Sequence, residues 1–153
     1  MIEYHEYTDA EICVKIPAPL RQERAMRYFR GNLVRGHSET MMTIAIDIDF
    51  DFDDGRVEAI KSLFLNTNIS DRPPGNEVLR LGPCPFGEDG LELLTSFLEL
   101  TSGRTLYRWD MLFRLRDSYV MFSIMGALPH AEFESIATDI VSSFRFRSQS
   151  DQE

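Results

Sequence analysis

The chain has 153 residues, of which 43% are hydrophobic and 11% aromatic, and its formal net charge is −9. This composition is typical of a single folded domain and excludes a largely disordered chain. The negative charge is concentrated in the middle, because residues 41–100 contain twelve acidic and four basic side chains. Such a surface repels phosphate groups, so we expect no nucleic-acid partner and no stable membrane insertion.

The N-terminal residues 1–6 are acidic and contain no apolar run, so we expect no signal peptide. No part of the chain approaches the roughly 18 consecutive apolar residues of a transmembrane helix. We therefore expect a cytoplasmic protein in a reducing compartment, with Cys13 and Cys84 as free thiols. The alternative for Cys84, which lies in a Gly-Pro-Cys-Pro turn, is a reactive thiol.

The first half of the chain predicts three strands, at residues 11–16, 24–30 and 41–52. Residues 24–30 also fit a helix, but we favour the strand. The third strand alternates two sets of side chains: Ile44, Ile46, Ile48, Phe50 and Phe52 against Asp47, Asp49, Asp51 and Asp53. Alternate side chains of a strand point to opposite faces, so we expect the apolar set on a core and the carboxylates in solvent. The aspartates lack the glycine and the final glutamate of a calcium loop, so we expect no metal site.

One helix and one short strand are predicted after the acidic strand. Val57, Ile60 and Phe64 recur with the spacing of an amphipathic helix, which we expect near residues 55–66. The short strand is expected at Val78–Leu81, between two loops rich in proline and glycine.

The last third of the chain predicts an antiparallel meander, at residues 91–100, 105–116 and 119–125, followed by an amphipathic helix near residues 130–144. We therefore predict a single domain, residues 1–147, and a disordered tail, residues 148–153. The predicted fold class is α/β (α+β), with a curved, mainly antiparallel sheet of about six or seven strands flanked by two or three helices.

The order of these elements resembles the PsbP-like fold and, within it, the DcrB-related family. The resemblance is carried by four segments: Gly90–Leu94, Tyr107–Phe113, Tyr119–Phe122 and Phe133–Phe146. It implies a role like that of the small cytoplasmic chaperones associated with type VI secretion effectors.

The sequence contains no motif for nucleophilic catalysis, phosphate binding or metal binding, and its three histidines are scattered: His5, His37 and His130. We therefore predict a noncatalytic binding module, without cofactor or metal. Its expected partner is a protein client, either an apolar helix or the N-terminal segment of an effector.

The client is expected on the sheet, because the meander carries apolar side chains on both faces and the chain offers few helices to cover them. The predicted client-binding residues are Leu94, Leu98, Leu106, Arg108, Asp110, Leu112 and Arg114. A homodimer formed through the same surface is a competing interpretation. The alternative function is a small ligand-binding protein or enzyme with a pocket near the Arg72–Gly87 loop.

Overall fold

The computed structural model describes residues 2–24, 27–49, 54–66 and 76–147. They form ten strands and two helices in this order: β1 (Tyr4–Thr8), β2 (Ile12–Pro17), β3 (Arg21–Gln22), β4 (Tyr28–Arg35), β5 (Ser38–Asp49), α1 (Asp54–Leu65), β6 (Glu77–Gly82), β7 (Glu88–Leu98), β8 (Thr105–Leu115), β9 (Ser118–Gly126), α2 (His130–Ser143) and β10 (Arg145–Phe146). Both predicted helices are confirmed. The strand predicted at residues 24–30 lies instead at Tyr28–Arg35, and the predicted tail lies outside the described residues.

The main sheet has seven strands in the order β3-β4-β5-β9-β8-β7-β6, and each neighbouring pair is antiparallel. This confirms the predicted antiparallel sheet. The expectation of one sheet is wrong, because β1, β2 and β10 form a second, three-stranded sheet. Phe146 pairs with Ile12 in this second sheet, which therefore joins the N-terminal and C-terminal segments of the described chain.

One face of the main sheet carries the main hydrophobic core. Ile44 and Ile46 of β5 are almost fully buried there, whereas Asp47 is exposed. The alternation in β5 is therefore confirmed for its described residues, and residues 50–53 of the predicted strand lie outside them. Helix α2 packs on this face and buries five apolar side chains in the core, namely Phe133, Ile136, Ala137, Ile140 and Val141.

The opposite face of the main sheet is covered in part by α1. Phe64 of this helix is 2% exposed and packs with Leu93, Leu112 and Tyr119. Lys61 of α1 forms an ion pair with Asp89, at a bulge where the register of β7 shifts. These contacts hold α1 against β7, β8 and β9.

The hydroxyl of Tyr119 reinforces the same bulge, because it donates a hydrogen bond to Asp89 Oδ2 at 2.8 Å. The pKa of Tyr119 is raised to about 12. Burial is the largest cause, and the hydrogen bond to Asp89 and the negative charge of Asp89 add to it. The hydroxyl is therefore a donor at neutral pH.

Neither described helix is long and apolar enough to cross a membrane.

Candidate functional site

The seven residues predicted to bind a client lie on two different faces of the main sheet. Leu94 and Leu98 pair with Trp109 and Thr105 of β8, which places them on the face that α2 covers. The other five alternate with those β8 residues and lie on the opposite face: Leu106, Arg108, Asp110, Leu112 and Arg114. The prediction of one shared face is therefore wrong, because residues that pair across antiparallel strands lie on the same face.

Burial also contradicts the predicted surface patch. Leu94 is 0% exposed within the main core, Leu112 is 1% exposed beside Phe64, and Leu106 is 8% exposed. These three leucines stabilise the fold and are inaccessible to a client in this structure. Leu98 differs from them, since it is 54% exposed near the end of β7.

The predicted polar orienting groups include an internal ion pair. Arg108 Nε lies 3.0 Å from Asp110 Oδ2, and the Asp110 side chain is buried. Burial raises the pKa of Asp110, although the charge of Arg108 and hydrogen bonds from Ser123 and Arg108 oppose that shift. Arg114 is exposed and lines a separate open groove with Arg116, at the far end of β8. Arg114 is therefore remote from Leu98.

Five of the seven large apolar side chains that are exposed in the described part of the chain lie at one margin of the main sheet. We call this set the apolar margin; it comprises Val78, Leu79 and Leu81 of β6, Leu98 of β7 and Leu100 in the turn that follows. Their exposed fractions range from 37% to 90%. Single exposed apolar side chains are common on protein surfaces, but a group of them is typical of an interaction site.

An open groove of about 360 Å³ lies within the apolar margin, beside the start of α2. Leu79 and Leu98 line it together with Tyr107 and His130. The two rings stack with their centroids 4.8 Å apart, and they form one wall. A register shift in β6 at Leu79 interrupts the alternation of this strand, and Leu79 borders the groove.

A second open groove, of about 470 Å³, shares Thr105 and Tyr107 with the first. Arg104, Leu128 and Pro129 contribute to its lining. Arg104 also donates a hydrogen bond at 2.8 Å to the backbone carbonyl of Glu39, which links the β7–β8 and β4–β5 hairpins. The two grooves therefore make this end of the molecule concave on both sides of Tyr107.

A polar network centred on the buried carboxylate of Glu92 lies beside the apolar margin. Glu92 Oε1 accepts hydrogen bonds from Arg80 Nε at 2.6 Å and from Trp109 Nε1 at 3.2 Å. Arg80 Nη2 donates to Glu134 Oε1 at 2.7 Å, and the guanidinium group lies over the Trp109 ring at 5.0 Å. His130 Nε2 lies 2.9 Å from Glu134 Oε2. The network therefore attaches edge strand β6 to α2.

Sequence reasoning missed this network, although one signal for it was present. Glu92 occupies a core-facing position of β7, since it pairs with Met111 of β8 and is 6% exposed. A carboxylate at such a position requires a cationic or hydrogen-bonding partner, because an unpaired buried charge is very unfavourable. The pattern predicts that a partner exists, but only the fold identifies it as Arg80.

The alternative pocket near the Arg72–Gly87 loop is only partly within the described residues, which exclude Arg72. Arg80, which precedes the second turn of this loop, already forms ion pairs with the carboxylates of Glu92 and Glu134.

The prediction of free thiols is confirmed for Cys13 and Cys84, and burial raises the pKa of Cys84 to about 11. A reactive Cys84 is therefore disfavoured.

No group of three potential metal ligands occurs among the residues that the structure describes.

Solved structures of low sequence identity share this architecture over nearly the whole chain. Mog1p, a Ran-binding protein of Saccharomyces cerevisiae, has a TM-score of 0.55 at 13% identity, with 98% of each chain covered. A point mutant of protein Mog1 has a TM-score of 0.58 at 14% identity, with 100% of each chain covered. The fold is of the Mog1 and PsbP-like type.

LpqN, a Mycobacterium tuberculosis protein involved in cell envelope biogenesis, has a TM-score of 0.57 at 12% identity, with 96% of this chain and 92% of LpqN covered. These likenesses confirm the predicted PsbP-like fold and extend to the fold alone. No family model and no curated protein matches the sequence. The DcrB-related family remains a prediction.

Proposed function

We propose that this protein is a noncatalytic protein-binding module, a chaperone or adaptor that shelters an apolar segment of a client protein at the apolar margin. The observation that carries this proposal is the exposure of Leu79 and Leu98 in one open groove, at a sheet margin that exposes three further large apolar side chains. In water these side chains are unfavourably exposed, and a client segment that covers them removes apolar area from solvent.

The groove offers the mixture of contacts that protein recognition requires. Leu79 and Leu98 are available as apolar anchors, and the stacked rings of Tyr107 and His130 form a wall against which a side chain can pack. Exposed Glu77 lies at the rim and supplies a polar group that orients the client. An apolar centre with a polar rim is the usual arrangement of a protein interface.

The finer form of the proposal is a cytoplasmic chaperone for a type VI secretion effector. It is supported by the resemblance of about residues 10–147 to the DcrB-related family, which is carried by four segments between Gly90 and Phe146. Mog1p shares the fold and is a Ran-binding protein, so this fold is compatible with protein recognition. The proposed client is an apolar helix or the N-terminal segment of such an effector.

The proposal is tested with a fluorescein-labelled synthetic peptide, whose helical core of leucine and alanine is flanked by lysines. Binding is measured by fluorescence anisotropy. We expect Leu98→Lys to weaken binding by roughly ten-fold or more, because it places a charge among the apolar anchors. Val34→Lys is the matched control: Val34 is 63% exposed on β4 and lines neither groove. Equal affinities of both variants and the unsubstituted protein would contradict the site.

The effector hypothesis has its own test. We expect the gene to lie beside a type VI effector gene and the protein to copurify with the N-terminal segment of that effector when the two are coexpressed. Leu98→Lys should abolish copurification and Val34→Lys should preserve it. An effector segment that binds both variants equally would exclude this groove as its site.

A further inference from the structure

The two edges of the main sheet differ in length and chemistry. At one edge, β3 consists of two polar residues, Arg21 and Gln22, both exposed. At the other edge, β6 spans six residues and exposes three large apolar side chains: Val78, Leu79 and Leu81. Within the described residues, β6 has only one strand neighbour, β7. A long, apolar edge strand presents backbone donors and acceptors that can pair with another strand.

The usual protection of an edge strand is weak in β6. Its only basic residue, Arg80, is directed onto the sheet, where it contacts Glu92, Glu134 and the Trp109 ring. The guanidinium group therefore stabilises β6 instead of shielding its outer edge. The register shift at Leu79 is the one protective irregularity, and Leu79 borders the groove next to Leu98. The edge and the groove thus form one continuous surface.

Charge indicates which kind of strand would pair with this edge. Residues 76–100 contain five acidic side chains and a single basic one. Arg80 is already paired with two carboxylates, so the local field is negative. A second copy of this chain would bring the same acidic segment against itself, and each copy carries a net charge of −9. A client strand with basic residues on both flanks is favoured over self-association.

We infer that β6 binds an extended client segment as an added strand, with apolar side chains in its centre and lysine or arginine at its ends. This inference rests on the proposed function and specifies its mode of binding. The backbone of the client pairs with the outer edge of Glu77–Gly82. Its side chains on one face pack beside Val78 and Leu81, and those on the other face reach the groove at Leu79.

The probe is the labelled peptide Lys-Lys-Val-Thr-Val-Thr-Val-Lys-Lys. Its control has the same side chains but carries N-methyl groups on the three valine and two threonine nitrogens, so neither edge of its central segment can donate to a strand. We expect the control to bind about ten-fold more weakly or not at all. Leu81→Lys should weaken binding of the unmodified peptide by a similar factor. Val34→Lys should not, since β4 lies five strand spacings, about 24 Å, from β6.

Hydrogen exchange supplies a second readout. Bound peptide should slow amide exchange within Glu77–Gly82, while β3 exchanges unchanged. Equal binding of the methylated and unmodified peptides, or unchanged exchange in β6, would overturn strand addition. If only the helical probe binds, and binds at Leu98, the proposed function stands and this inference fails; if neither probe binds, both fail. A dimer in sedimentation that Leu81→Lys converts to monomer would identify a second copy as the occupant and overturn the inference.

Discussion

Gly90 lies in the bulge of β7, where the structure leaves no room for a side chain. A Cβ atom added there would overlap the carbonyl oxygen of Leu112 and lie 2.8 Å from the Cα of Phe113. Both neighbours are backbone atoms of β8, so Gly90→Ala must separate two paired inner strands instead of displacing a flexible side chain. We expect the free energy of unfolding to fall by about 3 kcal/mol, at the upper end of overpacking costs.

Urea unfolding followed by circular dichroism measures this loss. With an m-value of about 2 kcal/mol/M, the midpoint should fall by about 1.5 M. Gly82→Ala is the matched control, because a Cβ added at Gly82 on the adjacent strand meets no atom within 4 Å. The control should stay within about 0.5 kcal/mol of the unsubstituted protein. A Gly90→Ala variant as stable as the control would refute the close approach of β7 and β8.

Three further predictions concern the core, the pH dependence and the thiols. Ile46→Asp should cost several kcal/mol in urea unfolding, because Ile46 is 4% exposed, whereas Asp47→Asn on the solvent face should be nearly neutral; the reverse order would contradict the face assignment. Burial raises the pKa of Asp9, but hydrogen bonds from Arg27 and from neighbouring groups outweigh it and hold that pKa well below its usual value. Asp9→Asn should therefore cost about 1–2 kcal/mol at pH 7. Since the folded pKa is lowered, this difference is present above the unfolded pKa of about 3.9 and disappears as the pH falls through the folded value; a cost that persists in acid would contradict it. Ellman's reagent at pH 8 should leave Cys84 unmodified until the protein unfolds, because its thiol is buried and its pKa is about 11. Rapid modification of Cys84 in the folded protein would show that the loop is open.

Local patterns in the sequence were sufficient for some features of the fold and insufficient for others. The alternation around Ile46 predicts its burial without tertiary information, because period 2 fixes which side chains share a face. The same rule places Leu93 and Leu94 on opposite faces of β7 but does not say which face each one joins. The pairing of Leu94 with Trp109 decides this, and a shift of one residue would exchange the two leucines.

The second sheet shows a related limit. Strands β1 and β10 are short, and β10 contains only Arg145 and Phe146. Two residues cannot display a periodic pattern. Although β1 forms a local hairpin with β2, the pairing of β10 with β2 joins residues that are more than a hundred positions apart in the chain. Only the assembled core brings these segments together.

The sequence by itself determined the order of the long strands and helices and the core face of β5, because each of these follows from periodicity and turn residues within a short window. The PsbP-like architecture was predicted from the resemblance of that order of elements to a known fold. Tertiary structure alone decided that Leu94, Leu106 and Leu112 are buried while Leu98 is exposed, and that Arg80 is held by Glu92 and Glu134. The physical reason is that exposure and ion pairing depend on strand register and on which edge lacks a neighbour. Both are properties of the packed sheet, and no single segment contains them.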